Sequence, residues 1–306
     1  MSHTTTRRRV RRRNRWSAVR RAALVAATGV ALTACAGQPS APKSSGPAMD
    51  AALHDRLPVD IQRSGVLTVA TDATYPPASF FGPDGRSVLG FEPDLADAMG
   101  DLLGVRVRFV VTDFVRTLDD VREGRADVVV SAMTDTADRE RLVDFVNYLS
   151  AGSTIVVQRG NPHGITEIED LCGQVVAVER GTVQVELLRR SQQSCASGRI
   201  AVRPQPTNAD ALLELRTGRA AAVLNDYPPA VYLATDPTTQ ADYQLASTIQ
   251  YEPGLYGIGV PKDEPRLREA LRAALERLLS TGEYTRILKE WGVAEGAVGQ
   301  ITVNAG

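Results

Sequence analysis

The sequence predicts an α/β protein with two similar units, each built on a central, mostly parallel sheet flanked by helices. Two observations lead to this fold class. Short runs rich in β-branched residues alternate with segments of helical period, and strands separated by helices of this length imply parallel pairing. The same order of elements starts again near residue 153, and the roughly 250 residues of the body are enough for two ordinary domains.

The first unit contains three predicted strands and three predicted helices. The strands cover residues 66–70, 105–111 and 127–131, and the helices cover 92–103, 118–123 and a segment that begins near Thr136. Gly104 and Gly124 follow two of these helices, where helix C-caps are expected because glycine adopts the left-handed conformation at little cost.

The second unit repeats this pattern, and the chain then returns to the first. The strands of the second unit cover 153–158, 175–178, 200–202 and 220–224, and its helices cover 183–191 and 208–217. A strand at 255–260 and two closing helices within 265–291, separated at Gly282, complete the predicted body.

The first 34 residues have the features of an export signal. Residues 1–21 contain nine arginines and no acid, residues 22–32 are apolar, and Leu32-Thr33-Ala34-Cys35 closes the segment. An apolar run of this length is too short for a bilayer span, which needs about 20 residues. The LTAC tetrapeptide is similar to the lipobox of bacterial lipoproteins, which implies that Cys35 is lipidated and becomes the new N-terminus.

Two features of the N-terminal region remain open. An ordinary cleavable signal with an incidental cysteine is the alternative to a lipid anchor, and the paired Arg20-Arg21 leaves the export route undecided. Residues 35–56 are rich in Ala, Pro, Ser and Gly, and they are predicted to be a flexible tether between membrane and body.

Charge argues against nucleic acid as a partner. The full chain has 35 basic and 36 acidic residues, and removal of the nine N-terminal arginines brings the net charge from −1 to about −10. Proteins that bind nucleic acid carry clustered basic surface instead.

The two remaining cysteines, Cys172 and Cys195, are predicted to form a disulfide after export, and two free buried thiols are the alternative. His3, His54 and His163 are too scattered to form a metal site beside them. No cofactor is expected.

Five segments resemble bacterial solute-binding proteins that deliver polar amino acids to ABC importers. They are "LTVATDATYPPASFF", "GFEPDLADAMGDLLGV", "SAMTDTADRERLVDF", "ERGT" and "LNDYPPAVYLA", within about residues 57–292. The resemblance implies a two-lobed, type II periplasmic-binding-protein fold with hinge crossings near 151–154 and 248–255. The expected limits are a signal peptide at 1–34, a linker at 35–56, lobe 1 at 57–152 and 253–295, lobe 2 at 153–252, and a C-terminal tail at 296–306.

The resemblance also implies which residues bind the carboxylate of an amino acid. Arg139 matches the arginine that binds both carboxylate oxygens, a task for which a planar guanidinium is suited and a lysine is not. Thr134, and Thr182 and Val183 at the start of a helix, match positions that add hydroxyl and backbone amide donors. Val183 replaces the usual second threonine, so only its amide is expected to contribute.

The remaining implied contacts concern the ammonium and the side chain. Asp226 and the backbone carbonyl of Ala132 are expected to accept from the ammonium, whereas Tyr75, Phe114 and Asp72 match positions around the ligand's side chain. Ala78 and Ser79 depart from the family's usual Phe and Glu, and both are expected to reshape the pocket.

Each assignment has a simpler alternative. Arg139 stands among other charges and would ordinarily be a solvated surface residue, and Asp226 before Pro228-Pro229 would ordinarily be a helix N-cap. Tyr75 could pack on the following prolines, Phe114 could be a core residue, and Asp72 could serve a turn.

The expected function is that of a monomeric receptor, anchored outside the cell membrane by lipid, which closes over an amino acid and presents it to an ABC permease. A dehydratase acting on prephenate or arogenate resembles the same fold and is the rival reading. It needs a pocket acid to protonate the leaving hydroxyl, and the sequence offers no spare acid clearly aimed into the cleft. A tethered ligand-presenting component of a sensor is the third possibility.

Overall fold

The computed structural model describes residues 46–196 and 198–306, so the predicted signal segment and Cys35 lie outside the described residues. The α-helices are α1 (Ala51–His54), α2 (Val59–Ser64), α3 (Phe91–Leu103), α4 (Thr117–Arg122), α5 (Ala137–Glu140), α6 (Val183–Ser191), α7 (Asn208–Arg216), α8 (Tyr227–Thr235), α9 (Pro265–Thr281) and α10 (Glu283–Glu290). The strands are β1 (Val66–Thr71), β2 (Thr74–Tyr75), β3 (Ser79–Phe81), β4 (Val88–Leu89), β5 (Arg106–Val111), β6 (Val128–Val129), β7 (Val143–Gln158), β8 (Val175–Glu179), β9 (Ala201–Gln205), β10 (Ala222–Asp226), β11 (Tyr243–Leu245), β12 (Tyr251–Pro261) and β13 (Ala297–Val303).

One ten-stranded sheet runs through both lobes in the order β5-β1-β6-β12-β7-β10-β8-β9, and β11 and β13 also pair with β7. On one side β1 pairs in parallel with β5 and β6, and on the other side β8 pairs in parallel with β9 and β10. The central strands β7 and β12 are antiparallel to each other. The predicted α/β fold class, with a largely parallel sheet on each side, is confirmed.

The 16-residue strand β7 belongs to both lobes. Its first half, up to Ala151, pairs with β12, and the residues from Ser153 onward pair with β10 and β11. Only residues 153–158 of this strand were predicted from the sequence. Nearly every residue of β7 is buried, so the alternation of apolar and polar residues that usually marks a strand is missing.

Buried apolar side chains separate on either side of this crossing. One cluster draws on residues 53–151 and 256–301, and it packs α3, α9 and α10 against one part of the sheet. Two others draw on residues 155–243 and cover the two faces of the β8–β10 region. Each side of the crossing therefore has hydrophobic packing of its own.

Both ends of the described chain are more ordered than the sequence indicated. Residues 51–54, assigned to the flexible linker, form α1, because the Asp50 carboxylate accepts from Ala52 N at 3.0 Å and Leu53 packs in the core. Residues 297–303, assigned to the tail, form β13 against β7. Helix α1 was not predicted because its segment has the Ala-, Pro-, Ser- and Gly-rich composition of a linker. Strand β13 was not predicted because the folded body was expected to end with the last closing helix.

Cys172 and Cys195 are joined by a disulfide, with a Cα–Cα distance of 5.5 Å. It connects the segment before β8 to the end of the 3₁₀ turn Gln192–Ser194, which follows α6 in the second lobe. The pairing predicted from the cysteine count is present in the structure.

Candidate functional site

A cavity lies between the two lobes. β1 and β6 end at one wall and β8 and β10 end at the other, so carboxyl ends of parallel strands from both lobes meet there, as is usual for ligand sites in α/β sheets. The nine residues that the sequence analysis assigned to the ligand all line this cavity: Asp72, Tyr75, Phe114, Ala132, Thr134, Arg139, Thr182, Val183 and Asp226.

Arg139 is held by backbone carbonyls from both lobes. Its Nη1 donates to the carbonyl of Thr134 at 2.7 Å, and its Nη2 donates to the carbonyl of Gly181 at 3.0 Å. Its guanidinium carbon lies 5.5 Å from the centroid of the Phe114 ring, within cation–π range. A guanidinium has five N–H groups, so three remain for a ligand, and Arg139 is not a solvated surface charge.

Burial lowers the pKa of Arg139 to about 10, although the carboxylates of Asp226 and Asp135 oppose this effect. The guanidinium therefore remains a cation at neutral pH. It is the one basic side chain among the described residues that line this cavity.

Asp226 stands at the N-cap position of α8, but its side chain makes no capping hydrogen bond. Its Oδ2 accepts from the Tyr75 hydroxyl at 3.0 Å, and its Oδ1 accepts from Gln184 Nε2 at 2.8 Å. Burial raises the pKa of this carboxyl to about 6, against the opposing effect of hydrogen bonds and of Arg139. The side chain serves the cavity and not the helix end.

Ala132 has a φ of +43°, which is uncommon for a residue other than glycine. Its N–H donates to Glu92 Oε1 at 2.5 Å, and Glu92 also accepts from the Ser79 hydroxyl at 2.7 Å and from the Tyr148 hydroxyl. A fully buried carboxylate thus fixes the backbone that borders the cavity.

Ser79 and Ala78 are each 1% exposed and do not line this cavity. Neither side chain contacts the cavity directly, and Ser79 is linked to the cavity wall only through Glu92, which holds the N–H of Ala132.

The N-terminus of α6 faces the cavity through Thr182, Val183 and Gln184. The first N–H groups of a helix have no acceptor within the helix, and together with the helix dipole they favour an anion. The Thr182 hydroxyl donates to the carbonyl of Glu179 at 2.7 Å, which leaves the hydroxyl oxygen free to accept. Gln184 was not predicted, and it holds Asp226 in place.

The other predicted side chains border the cavity and also serve the protein itself. The Tyr75 hydroxyl donates a hydrogen bond to Asp226, and the Arg139 guanidinium packs over the ring of Phe114. Asp72 Oδ1 accepts from Thr74 N at 2.8 Å and from Thr74 Oγ1 at 2.6 Å. The turn role considered for Asp72 is therefore present together with its position in the cavity wall, where burial raises its pKa.

Glu179 is the main residue that sequence reasoning missed. It is the last residue of β8, it lines the cavity, and it is 8% exposed. Within the part of the chain that the structure describes, its Oε1 has no hydrogen-bond partner. The expectation that no further acid is aimed into the cleft was wrong.

Burial raises the pKa of Glu179 to about 9, and the carboxylates of Asp72, Asp226 and Asp113 add to this effect while Arg180 opposes it. The signal that could have revealed Glu179 is its place at the carboxyl end of a predicted parallel strand, directly before the Arg180-Gly181 turn. Asn208 and Asn225, both 2% exposed, complete the polar wall on the same side.

Membrane-spanning helices and metal-binding clusters would indicate other roles. Over residues 46–196 and 198–306, none of the helices combines the length and the apolar character that crossing a membrane requires. The same part of the chain contains no group of three or more His, Cys, Asp or Glu side chains arranged to hold a metal ion.

Fold and site together define a two-lobed α/β protein with a polar cavity between its lobes. Comparison with known proteins gives the family: the chain belongs to the bacterial extracellular solute-binding proteins, family 3, whose family model matches residues 67–294.

Among curated relatives, the arginine-binding protein ArgT of Corynebacterium glutamicum is 31% identical over 254 residues, which cover 81% of each chain. The L-cystine-binding protein TcyJ of Escherichia coli is 29% identical over 234 residues, covering 76% of this chain and 84% of TcyJ. Among solved structures, the ancestral amino acid-binding protein AncCDT-1, described as a precursor of cyclohexadienyl dehydratase, matches with a TM-score of 0.68 at 32% identity, covering 76% of this chain and 97% of its own.

Proposed function

We propose that this protein is an extracytoplasmic receptor for a free amino acid with a cationic side chain, and that arginine is the first ligand to test. The observation that carries the proposal is the charge of the cavity wall. One cation, Arg139, and three acids, Asp72, Glu179 and Asp226, line a single space between the lobes.

The cation and Asp226 suit the two charged ends that every free amino acid has. The ligand's carboxylate accepts from the remaining N–H groups of Arg139 and from the amides at the start of α6, with Thr134 and Thr182 beside them. The ammonium donates to Asp226 and to the carbonyl of Ala132. Charge-assisted hydrogen bonds contribute about 1.5 to 3 kcal/mol each, so four of them reach the roughly 8 kcal/mol of micromolar affinity.

The two further acids favour a cation at the side-chain end. Asp72 and Glu179 come from different lobes, and the aromatic rings of Tyr75 and Phe114 lie in the same wall. A relative named as arginine-binding supports this ligand class. The relative named as cystine-binding makes a neutral side chain the alternative.

Binding is proposed to close the lobes, 57–152 with 253–295 against 153–252, about the two strand crossings. β12 has a register shift between Tyr251 and Gly254 and a φ of +45° at Glu252 beside the second crossing. Several contacts across the cleft hold the two lobes together in this structure. Arg180 of one lobe pairs with Asp113 of the other at 3.0 Å, and Arg139 and Tyr75 make the hydrogen bonds between lobes described above. A ligand that contacts both lobes shifts the population towards the closed form.

The closed receptor is proposed to dock, as a monomer, on the membrane permease of an ABC importer, because that is the role of the family. Export by the N-terminal signal and a lipid anchor at Cys35 belong to the same proposal, and the Cys172–Cys195 disulfide agrees with an oxidising compartment. Cys35→Ala should release the protein from membranes, as followed by fractionation of cells.

A dehydratase is the second candidate, and one observation favours it: Glu179 is a protonated acid in the cavity at neutral pH, as the leaving hydroxyl of prephenate would need. The solved relative that is called a precursor of such an enzyme is itself described as amino acid-binding. Turnover of prephenate by the purified protein would establish this function. A ligand-presenting sensor component would bind the same ligand. It differs from an importer receptor in the partner protein to which it presents that ligand.

Thermal unfolding of the purified protein with each of the twenty amino acids tests the proposal. A ligand at 100 times its dissociation constant stabilises by about 2.7 kcal/mol. Arginine, and to a lesser degree lysine, should raise the midpoint most. If no amino acid at millimolar concentration shifts the unfolding midpoint and the protein turns over prephenate, the receptor function is wrong and the dehydratase function is established.

A further inference from the structure

Glu179 has a position that the binding of the two charged ends does not explain. Its side chain is more than nine-tenths buried, it lines the cavity, and its Oε1 has no partner within the described residues. An unpartnered polar atom in such a place costs about 1 to 3 kcal/mol. Oε1 of Glu179 is therefore available in the cavity wall to accept a hydrogen bond from the ligand.

The charges around Glu179 are mostly of its own sign. Asp72 follows β1, Asp113 precedes the 3₁₀ turn at Phe114–Arg116, Asp226 ends β10, and the Tyr75 hydroxyl lies in β2. Arg180, whose charge opposes the raised pKa of Glu179, is already paired with Asp113 at 3.0 Å. A carboxylate buried among carboxylates favours its protonated form unless another cation comes close.

We propose that Glu179 pairs with the cationic side chain of the ligand and exchanges a proton for that cation, so that binding of each cationic amino acid releases one proton. This inference rests on the proposed function. In the step, the O–H bond of the Glu179 carboxylic acid breaks, the proton goes to buffer, and the carboxylate pairs with the ligand's guanidinium or ammonium. A neutral amino acid leaves the acid protonated.

The number of protons distinguishes Glu179 from Asp226. At pH 7 a carboxyl group with a pKa of about 9 is about 99% protonated, and one with a pKa of about 6 is about 10% protonated. Exchange at Glu179 therefore releases nearly one proton per ligand, whereas ionisation of Asp226 releases about a tenth of one. By linkage, affinity for a cationic ligand rises about tenfold per pH unit below pH 9.

Isothermal titration calorimetry in two buffers of different ionisation enthalpy measures the protons directly. With the full chain at pH 7, arginine should release about one proton and glutamine about a tenth of one. From pH 6 to 7.5 the ratio of arginine to glutamine affinity should rise about 30-fold. This ratio cancels titration of the α-ammonium and of Asp226, because both ligands share those contacts.

Variants of matched size assign the proton to one residue. Glu179→Gln should reduce the release with arginine to about a tenth of a proton and make the ratio of arginine to glutamine affinity constant with pH. Glu179→Asp should restore the release. The exposed Glu169 of the same lobe gives the control, and Glu169→Gln should behave like the unchanged protein.

Three results would overturn the inference. Arginine could bind without proton release, or the release could persist in Glu179→Gln, or it could vanish in Asp72→Asn while Glu179→Gln retains it. In each of these cases an amino acid still binds and the proposed function survives. Absence of binding by arginine, lysine and glutamine alike would end both.

Discussion

Arg139 offers the sharpest test of how the carboxylate is recognised. Its three uncommitted N–H groups permit two parallel, charge-assisted hydrogen bonds to the carboxylate. At about 1.5 to 3 kcal/mol each, their loss amounts to about 3 to 6 kcal/mol. Arg139→Ala should therefore weaken arginine binding by about 10² to 10⁴-fold.

The side chain also joins the carbonyls of Thr134 and Gly181, so the variant could weaken binding through the protein alone. A ligand that lacks the carboxylate separates the two effects. Agmatine, which is decarboxylated arginine, should bind the unchanged protein weakly, and Arg139→Ala should reduce its affinity by less than about tenfold, since no carboxylate contact is lost. Arg139→Lys should lie in between, because an ammonium keeps the charge but cannot bind both oxygens in parallel.

Calorimetric dissociation constants for both ligands and both proteins complete a double-mutant cycle, and urea unfolding confirms that each variant folds. A coupling energy of about 3 kcal/mol or more between the residue and the carboxylate is expected. Equal losses for arginine and agmatine would refute the assignment, since Arg139 would then act only by holding the lobes together.

Three further predictions concern pH and stability. Because burial raises the pKa of Asp226 to about 6, affinity for a neutral amino acid such as glutamine should fall about tenfold per unit below pH 6, and affinity for arginine should fall about a hundredfold per unit, because Glu179 must lose its proton as well. Asp226→Asn should bind glutamine weakly with no break near pH 6, and calorimetry over pH 4.5–7 measures both. Glu179 is raised from 4.5 to about 9, so its contribution to stability is present below pH 4.5 and is lost as the pH rises through 9. Glu179→Gln without ligand should gain up to about 1.4 kcal/mol per pH unit above 4.5, and urea unfolding at pH 5, 7 and 8 with no growing difference would contradict the burial argument. Replacing Cys172 and Cys195, 23 residues apart, with serine should lower the free energy of unfolding by about 3 kcal/mol, and unchanged protein under reductant is the control.

Local patterns carried most of the element predictions. Helix α6 was predicted with the bounds that it has, and α3 ends at Gly104 in the left-handed conformation as expected. Helix α8 was not among the predicted elements, although Asp226 before Pro228-Pro229 was considered as a helix N-cap. Proline is tolerated in the first turn, where its missing N–H is not needed.

Contacts between the lobes could not be predicted in the same way. The residues matched to the family converge on one cavity, but the partners of Asp226 come from β2 and α6, which are distant in sequence. Glu179 reads as an ordinary charge beside Arg180. Besides its burial, the charges of Asp72 and Asp113 raise its pKa, and these two residues belong to the opposite lobe.

The charge of the cavity wall explains why a proton belongs in this site. Asp72, Glu179 and Asp226 against Arg139 would leave two uncompensated negative charges if all four were ionised, and such burial is costly. A proton on Glu179 reduces the excess to one. A neutral amino acid leaves that excess unchanged, and a cationic amino acid that displaces the proton also leaves it unchanged, because one positive charge replaces another. The same wall can therefore accept either ligand class, with pH deciding how strongly it prefers the cation.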